Sequence, residues 1–316
     1  MKRTNTIVTV GLWPAWDRIC EFDGIEWGQH KLVSASWMKP AGKAMNVSYA
    51  LAWMGQKSIA AGLWGQDDTR LLLQETEAMQ DRIDVRVTPA AGATRQNVTV
   101  VDTKNEREMH LRHRSKLASR ESLRRLRHDL SGLVAAGSTC VFAGSMPEGD
   151  LLADVIMMIE LCIDKGAKVV VDTSGPALQE MVETGMVWAI KPNVEEFRRL
   201  VGRKVADRPA SLARAARPLL AQVEVVLISR GEKGALLVTH DGGWQASCSD
   251  ENEVHATVGC GDYMLAGFLK GLRDTREVAG GLEAAVKAGS AHAWGWTGSK
   301  SWDDVRREVE VEFKVV

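Results

Sequence analysis

A repeated alternation of short apolar, β-branched segments with segments of helical periodicity constrains the fold most. Several of the apolar segments are continuous, as expected of strands that are buried on both faces of a parallel sheet. The alternation therefore predicts an α/β fold, in which a central, mostly parallel sheet lies between two layers of helices. The predicted strands are 6–12, 58–63, 96–102, 139–143, 168–172, 187–190, 223–229 and 235–239.

The clearest predicted helix spans residues 42–55. Its residues Val47, Ala50, Leu51 and Met54 follow the spacing i, i+3, i+4, i+7, which places them on one apolar face. Helices are also predicted over 149–166 and 261–272.

Two segments interrupt this pattern. Residues 21–38 are polar and rich in Gly and Trp, whereas residues 93–114 alternate like a strand and then become strongly basic. Insertions at strand ends of open α/β folds often cover the site. We therefore expect a small β lid, with strands from about 12–38 and 94–114, within a single domain of residues 1–316.

Composition excludes several classes of protein. The 316 residues carry 40 Lys and Arg against 41 Asp and Glu, so the net charge of −1 argues against a dedicated nucleic-acid binder. No apolar run is long enough to span a membrane, and the N-terminal segment is predicted to form a first strand rather than a signal peptide. Five widely spaced cysteines without a CxxC pair argue against a disulfide framework or a zinc site, and favour the cytoplasm.

The strongest candidate for chemistry is the segment HATVGCGDYMLAGF. Gly259 and Gly261 flank Cys260, and Asp262 follows where a helix is predicted to begin. Free N–H groups at a helix start bind anions, and glycines let an anion approach the backbone closely. Asp262 would repel a bound phosphate, but it suits a base that takes the proton of an attacking hydroxyl. Taken alone, Asp262 is better explained as a favourable acidic residue in a first helical turn.

Two further pairs stand at predicted helix starts. Lys43 and Asn46 are three residues apart, so that both can face one ligand, such as a phosphate or a sugar hydroxyl. Asn193 and Glu196 show the same spacing in KPNVEEF, and their oxygen atoms suit water-mediated Mg²⁺ contacts. Ordinary helix capping also explains each pair taken alone.

The sequence contains no GxxxxGK[ST], GxGxxG or HExxH motif. A nucleotide-using enzyme with this sequence therefore needs another phosphate cradle. His110 and His113 have HxxH spacing, for which we favour a solvated basic loop over a metal site.

These segments, in this order, resemble the ribokinase-like, PfkB-type carbohydrate kinases. GKAMNVSYALAWMG is similar to the N-terminal glycine-rich signature of that family, KPNVEEF to its NxxE motif, and TVGCGDYMLAGF to its C-terminal GAGD signature. The segments TVGLWPAWDR, ATRQNVTVVD, FAGSMP, VVVDTSGPAL and LISRGEKGALLV also resemble family segments. The resemblance is greatest to the 1-phosphofructokinase and tagatose-6-phosphate kinase branch.

The resemblance implies a ribokinase-like three-layer α/β/α fold and, for each matching residue, a role. Asp262 would be the catalytic base, and Gly259, Cys260 and Gly261 would supply an anion hole. ATP and Mg²⁺ would be organised by Asn193 and Glu196, with Glu196 contacting the metal through water, while Ser229 and Gly231 would lie along the nucleotide. The acceptor would be bound by Asp17, Gly42, Lys43, Asn46 and Arg95.

The sequence departs from the family pattern mainly where the acceptor would bind. Pro40, Ala41 and Ala44 stand at glycine-like positions, Trp13 stands where the family usually has Asn, and Cys260 replaces an Ala. Beyond the predicted lid strand, the basic residues His110, Arg112 and Arg114 replace the family's turn and could contact a phosphate or carboxylate.

We therefore predict an ATP-dependent kinase of a ketohexose monophosphate, and the resemblance implies a homodimer that pairs through its lid. Lys43 and Arg95 favour a phosphorylated acceptor, because two converging cations suit a second phosphate. A kinase of a neutral sugar or a nucleoside is the alternative among enzymes. A catalytically weak regulator that binds a sugar phosphate is the alternative from another class.

Overall fold

The computed structural model describes residues 6–249 and 252–316; residues 1–5, part of the N-terminal segment predicted to form a first strand rather than a signal peptide, lie outside it. The strands are β1 Ile7–Gly11, β2 Ala15–Phe22, β3 Ala35–Ala41, β4 Ser58–Gly65, β5 Ile83–Ala90, β6 Gln96–Asp102, β7 Arg107–Leu111, β8 Thr139–Ala143, β9 Lys168–Asp172, β10 Ala189–Ile190, β11 Val225–Ser229, β12 Ala235–Thr239, β13 Gly242–Cys248 and β14 Val311–Val315. The helices are α1 Lys43–Trp53, α2 Thr69–Thr76, α3 Arg120–Leu133, α4 Asp150–Asp164, α5 Pro176–Glu183, α6 Val194–Leu200, α7 Pro209–Ala216, α8 Cys260–Thr275, α9 Val278–Ala293 and α10 Trp302–Glu308.

The large sheet formed by the described residues has ten strands in the order β14-β13-β12-β11-β10-β9-β8-β1-β4-β5. Neighbouring strands from β11 through β5 run parallel, whereas β12, β13 and β14 continue the sheet in antiparallel fashion. The predicted three-layer α/β/α fold with a mostly parallel sheet is thereby confirmed.

Apolar cores cover both faces of this sheet. Along β9, Val169 and Val171 pack into one core with α3, α4 and α5, while Val170 between them packs into the other core with α1, α8 and α9. Because successive side chains of a strand point to opposite faces, a strand covered on both sides must be apolar at every position. This explains the continuous apolar runs in the sequence.

A second sheet has four strands in the order β3-β2-β6-β7. Its strands β2 and β3 lie at the two ends of the first interrupting segment and extend beyond it to residues 15 and 41, whereas β6 and β7 lie within the second segment. We call this four-stranded sheet the lid sheet. Its strand β2 pairs antiparallel with β3 and parallel with β6, and β7 pairs antiparallel with β6.

The sequence analysis did not predict β5, β13 and β14 in the large sheet. In β5 the buried pattern is interrupted by exposed polar residues, and most of β14 is exposed at the edge of the sheet. Neither strand has the continuous apolar run that indicated the others. The strands predicted at 187–190 and 223–229 begin two residues later, at Ala189 and Val225. The helices predicted over 42–55, 149–166 and 261–272 are present as α1, α4 and α8.

Candidate active site

Polar groups gather at the carboxyl ends of the parallel strands. Asp172 is the last residue of β9, Lys191 directly follows β10, and Ser229 ends β11. In open α/β sheets this edge is where ligands bind, because strand ends and helix starts meet there. The starts of α1 and α8 bring Lys43, Asn46 and Asp262 to the same place, as the contacts below show.

Asp262 lies in the first turn of α8 and is 4% exposed. The side-chain amide of Asn46 donates a hydrogen bond of 2.7 Å from Nδ2 to its Oδ2. Residues of α1 and α8, which are far apart in the sequence, therefore meet through these two side chains. The sequence analysis predicted that Asn46 and Asp262 belong to one site, and in the structure their side chains are in contact.

A buried carboxylate and two lysines lie beside this pair. Lys43 Nζ donates to Asp172 Oδ1 at 3.0 Å, and Lys191 Nζ lies 3.3 Å from Asp172 Oδ2. The side chain of Asp172 is fully buried and that of Lys191 is 5% exposed, whereas that of Lys43 is 38% exposed. We call the set Lys43, Asn46, Asp172, Lys191 and Asp262 the catalytic floor.

The start of α8 is a glycine-flanked turn. Gly259 has φ +91, in the left-handed region that favours glycine. A Cβ built on Gly261 would lie 3.1 Å from Lys191 Nζ, so the ammonium stands close over the backbone of this turn. Cys260 donates its thiol to the carbonyl of Ala256 at 3.3 Å, which directs its side chain back toward the preceding segment.

The electrostatics of the catalytic floor differ between its two carboxylates. Burial raises the pKa of Asp262 to about 6, and the negative charge of Asp172 adds to this effect, against the opposing hydrogen bond from Asn46. Burial also acts to raise the pKa of Asp172, but Lys191 and Lys43 outweigh it and hold that pKa below its usual value. Asp172 is thus a fixed anion, whereas Asp262 is poised to exchange a proton near neutral pH.

Lys43 remains charged. Burial acts to lower its pKa, but the carboxylates of Asp172 and Asp262 outweigh burial, so that the pKa is raised. Glu196 contributes to the same field. Lys43 and Lys191 therefore add positive charge beside the two carboxylates of the floor, Asp172 and Asp262.

Asp17 and Arg95 lie where the lid sheet meets the large sheet. Asn97 donates from Nδ2 to Asp17 Oδ1 at 2.8 Å, across the β2–β6 pair. The Arg95 guanidinium donates to the carbonyl oxygens of Trp13 and Pro14, each at 3.1 Å. Burial and the charge of Arg112 lower the pKa of Arg95, against the carboxylate of Asp17.

The basic residues at the end of the lid, 110–114, also make contacts in the structure. Arg95 donates from Nη1 to the carbonyl of His113, which lies beyond β7. His110 in β7 pairs with Glu108 at 3.1 Å and contacts the Thr99 hydroxyl, also at 3.1 Å. Arg112 lies close enough to Arg95 to affect its pKa, whereas no contact among the described residues places Arg114 in the site.

The altered glycine segment packs against β1 at the start of α1. Gly42 has φ +115 and begins α1, and Ala41 and Ala44 are buried. The Cβ of Ala44 faces β1, since a Cβ built on Gly11 would lie 3.1 Å from it. A cavity of about 20 Å³ lies between these residues and Trp13.

The residues predicted for the nucleotide lie along the neighbouring strand ends. Asn193 caps α6: its Oδ1 accepts from the Glu196 N–H at 2.9 Å, and the Glu196 carboxylate accepts from the Asn193 N–H at 2.8 Å. Asn193 also forms a parallel bridge with Ser229, and Gly231 follows with φ +60. The capping interpretation is therefore correct for this pair, and one Glu196 oxygen remains outside the capping bond.

Within the described ranges, no three His, Cys, Asp or Glu side chains are grouped as a metal cage. Mg²⁺ usually keeps several water ligands and binds one or two carboxylates together with substrate phosphates. The Glu196 carboxylate, whose charge raises the pKa of Lys43, suits that arrangement.

No helix in the described part of the chain is both long and apolar enough to cross a membrane.

Sequence reasoning missed three polar residues of the site: Asp172, Lys191 and Asn97. Asp172 and Lys191 lie inside segments that the analysis quoted, VVVDTSGPAL and IKPNVEEF. A charged residue directly after an apolar run was the available signal, because such a residue stands at the carboxyl end of a buried strand.

Comparison with known proteins gives one family. The family described as "pfkB family carbohydrate kinase" matches residues 5–295. The 1-phosphofructokinase of Rhodobacter capsulatus is 32% identical over 275 residues, which are 84% of this chain and 83% of the relative. The "ATP-dependent 6-phosphofructokinase isozyme 2" of Mycobacterium tuberculosis (strain H37Rv) is 28% identical over 310 residues, which are 96% of this chain and 89% of the relative.

Among solved structures, phosphofructokinase-2 from Escherichia coli in complex with substrates and products matches with a TM-score of 0.86. The two chains are 25% identical, and the match covers 96% of this chain and 97% of that one.

Proposed function

Because the chain belongs to the pfkB family of carbohydrate kinases, we propose that it transfers the γ-phosphoryl group of ATP to a hydroxyl of a ketohexose monophosphate. One observation carries the proposal: a buried carboxylate, Asp262, stands at a glycine-lined helix start with two ammonium groups beside it. A base next to an anion cradle suits phosphoryl transfer to an alcohol. The names of the relatives support a phosphorylated sugar as acceptor.

In this proposal Asp262 removes the proton from the attacking hydroxyl. The hydroxyl oxygen then forms a bond to the γ-phosphorus, the bond from that phosphorus to the β-phosphate oxygen breaks, and ADP leaves. The raised pKa of Asp262 supports its role, since a base works best when its pKa is near the working pH. The bond from Asn46 fixes the carboxylate in one orientation.

Positive charge and backbone donors stabilise the transferring group. The N–H groups of Gly259, Cys260 and Gly261 form the anion hole at the start of α8. Lys191 stands over that turn, and Asp172 holds its ammonium in place. Lys43 shares the same anchor and faces the acceptor from the start of α1.

The nucleotide lies along Ser229 and Gly231 in the proposal. Asn193 and Glu196 would organise Mg²⁺, with Glu196 contacting the ion through water. Mg²⁺, when bound, neutralises negative charge on the phosphates. The capping bonds between Asn193 and Glu196 fix both side chains relative to α6, which supports their use as a preformed site.

The acceptor lies between the catalytic floor and the lid sheet. Asp17 and Asn46 would bind its hydroxyls next to the Gly42 turn, while Lys43 and Arg95 would hold its phosphate. The carbonyl contacts of Arg95 support this role, because they fix the guanidinium at the joint between lid sheet and large sheet. Closure of the lid sheet would exclude water and limit wasteful ATP hydrolysis.

The test is ADP release by the purified protein with Mg²⁺-ATP and a panel of acceptors. The panel contains fructose 1-phosphate, fructose 6-phosphate, tagatose 6-phosphate, fructose, ribose and adenosine. We expect turnover with one or more of the sugar phosphates and little with the neutral compounds. Turnover with a neutral sugar or a nucleoside would overturn the phosphate roles of Lys43 and Arg95. Thermal stabilisation by a sugar phosphate without any turnover would favour a binding regulator.

We further propose a homodimer that forms through the lid sheet, as the family resemblance implies, and a cytoplasmic location. Trp37, Met109 and Leu111 support the pairing, since each is a large apolar lid residue left about half exposed. Sedimentation of the wild type beside a Met109→Ser, Leu111→Ser variant tests it. We expect a dimer that the variant weakens, and a monomeric wild type would contradict the pairing.

A further inference from the structure

The imidazole of His292, near the end of α9, lies against the turn that precedes α8. Its Nε2 is 3.0 Å from the carbonyl oxygen of Val258. A carbonyl only accepts, so Nε2 carries a hydrogen and donates it. In the neutral ring Nδ1 is then an acceptor, and the Thr297 hydroxyl at 3.3 Å donates to it. Each ring nitrogen thus has one hydrogen-bond partner.

The ring is also held by its face. Tyr263, which directly follows Asp262, stacks on His292 with ring centroids 3.9 Å apart and planes 13° apart. Burial raises the pKa of Tyr263, against an opposing effect of Thr297, the residue that also contacts the imidazole. His292 therefore connects the segment before α8, the first turn of α8, and the short turn at Trp296–Gly298.

Gly259 completes the arrangement, because a Cβ at this position would lie 2.9 Å from His292 Nε2. The imidazole thus occupies the space that a side chain at position 259 would need. The peptide unit between Val258 and Gly259 is planar and trans, so its C=O and N–H point in opposite directions. By holding the Val258 carbonyl, His292 fixes the direction of the Gly259 N–H.

We propose that His292 is a positioning residue for phosphoryl transfer, which orients the Gly259 N–H of the anion hole through its hydrogen bond to the Val258 carbonyl. The inference rests on the proposed function, because that function makes the turn an anion hole. The hydrogen bond, rather than the stacked ring, carries the effect. A preorganised donor counts most where charge develops in the transition state, so loss of its orientation lowers kcat more than it weakens substrate binding.

Two variants separate the hydrogen bond from the stacking. In His292→Gln, the side-chain amide reaches as far as Nε2 and can still donate to the Val258 carbonyl, but the ring is lost. In His292→Phe, the ring remains against Tyr263, but the donor is lost. His255→Gln is the matched control, since His255 precedes the same turn and its Nε2 lies 4.0 Å from the Glu253 carboxylate.

The experiment measures kcat with the best acceptor of the panel, and the affinities for ADP alone and for ADP with aluminium fluoride, which imitates the transferring phosphoryl group. We expect kcat of His292→Phe to fall by about 10-fold to 100-fold, since misplacement of a catalytic group by about 1 Å has an effect of that size. Its affinity for ADP with aluminium fluoride should fall by a similar factor, while its affinity for ADP alone changes less than about twofold. His292→Gln and His255→Gln should stay within about threefold of the wild type.

A stacking role predicts the opposite order. A loss in His292→Gln as large as the loss in His292→Phe, or wild-type values for His292→Phe, would overturn the inference while leaving the proposed function intact. Equal losses of affinity for ADP alone and for ADP with aluminium fluoride would also overturn it, because they would show a general loss of nucleotide binding. A wild-type protein that neither phosphorylates any acceptor nor binds ADP with aluminium fluoride would instead contradict the proposed function, and this role with it.

Discussion

The catalytic floor and the lid sheet lie on opposite sides of the proposed acceptor site and are built in different ways. In the floor, Asp172 and Asp262 are buried, and contacts between side chains of α1, β9, α8 and the end of β10 fix them. In the lid sheet, every residue of β7 is exposed, and most residues of β2 and β6 are only partly buried. The floor is a polar network inside a packed core, whereas the lid is a surface with few buried contacts.

This difference suggests that the floor serves the chemistry and the lid adapts to the acceptor. A change in the floor disturbs a network whose members depend on one another, so the chemistry there has little freedom to vary. A change in the lid disturbs few partners, so its residues can vary with the acceptor. Most departures from the family pattern fit this view, since Trp13, Pro40, Ala41 and the basic residues 110–114 lie in or beside the lid strands, while Asp262 and its glycines are retained. Ala44 in α1 and Cys260 at the start of α8 are the departures on the floor side.

The largest expected effect is the loss of kcat in Asp262→Asn. Asparagine has nearly the same shape but takes up no proton, so kcat should fall by about 10²–10⁴-fold, the usual contribution of a general base. The measurement is ADP release at saturating ATP and acceptor. Melting temperature and acceptor affinity should change little. A variant that is folded and turns over at the wild-type rate would show that the floor holds no base.

The next largest effect is the loss of stability in Asp172→Asn. It leaves Lys43 and Lys191 without their shared carboxylate, and breaking a buried ion pair costs about 3–5 kcal/mol of unfolding free energy. Urea denaturation measures this cost. Asp150→Asn is the control, because its pair with Arg120 is highly exposed and should contribute less than about 1 kcal/mol.

The stabilising contribution of Asp172 should decrease as the pH falls. Its pKa is lower in the folded protein than in the unfolded chain, so its contribution is present above the unfolded pKa and is lost as the pH falls through the folded one. The stability difference between wild type and Asp172→Asn should therefore shrink in acid. A difference that is the same at pH 7 and pH 3 would contradict the buried ion pairs.

The smallest effect is expected in the lid. Arg95→Met should raise KM for the phosphorylated acceptor by about 10-fold to 100-fold, the worth of a lost hydrogen bond to a charged group, and leave KM for ATP nearly unchanged. Arg107→Met is the matched control, since it removes another lid cation, which pairs with Asp102. Equal effects in the two variants would show that lid charge in general, rather than the Arg95 position, binds the acceptor.

Contiguous motifs made much of this site predictable from sequence. Gly259, Gly261 and Asp262 are neighbours in the chain, so their grouping at a helix start follows from local pattern alone. The pairing of Asn193 with Glu196 is local too. Asp172 and Lys191 were not predicted, because their contact depends on β9 lying beside β10 and on α1 presenting Lys43 to the same carboxylate. Local spacing in the sequence does not show such contacts.

The edge strands of the large sheet were not predicted for another reason. The apolar pattern that marks a strand comes from burial on both faces, and β14 is buried on neither for most of its length. Sequence pattern therefore predicts the centre of the large sheet better than its edges. The same reasoning explains why the lid could be placed in two segments, while β6 was the one lid strand predicted with its bounds and β2, β3 and β7 were not resolved from the pattern.

The pH dependence of turnover tests the role of Asp262 most directly. Because the pKa of this carboxyl is raised to about 6, the base is protonated in acid, and kcat/KM for the acceptor should fall tenfold per pH unit below about pH 6. Substrate phosphates also titrate in this region, so the residual activity of Asp262→Asn provides the reference. The account predicts that the acid limb of the wild type is steeper than that of Asp262→Asn by one proton; identical pH profiles for the two proteins would contradict it.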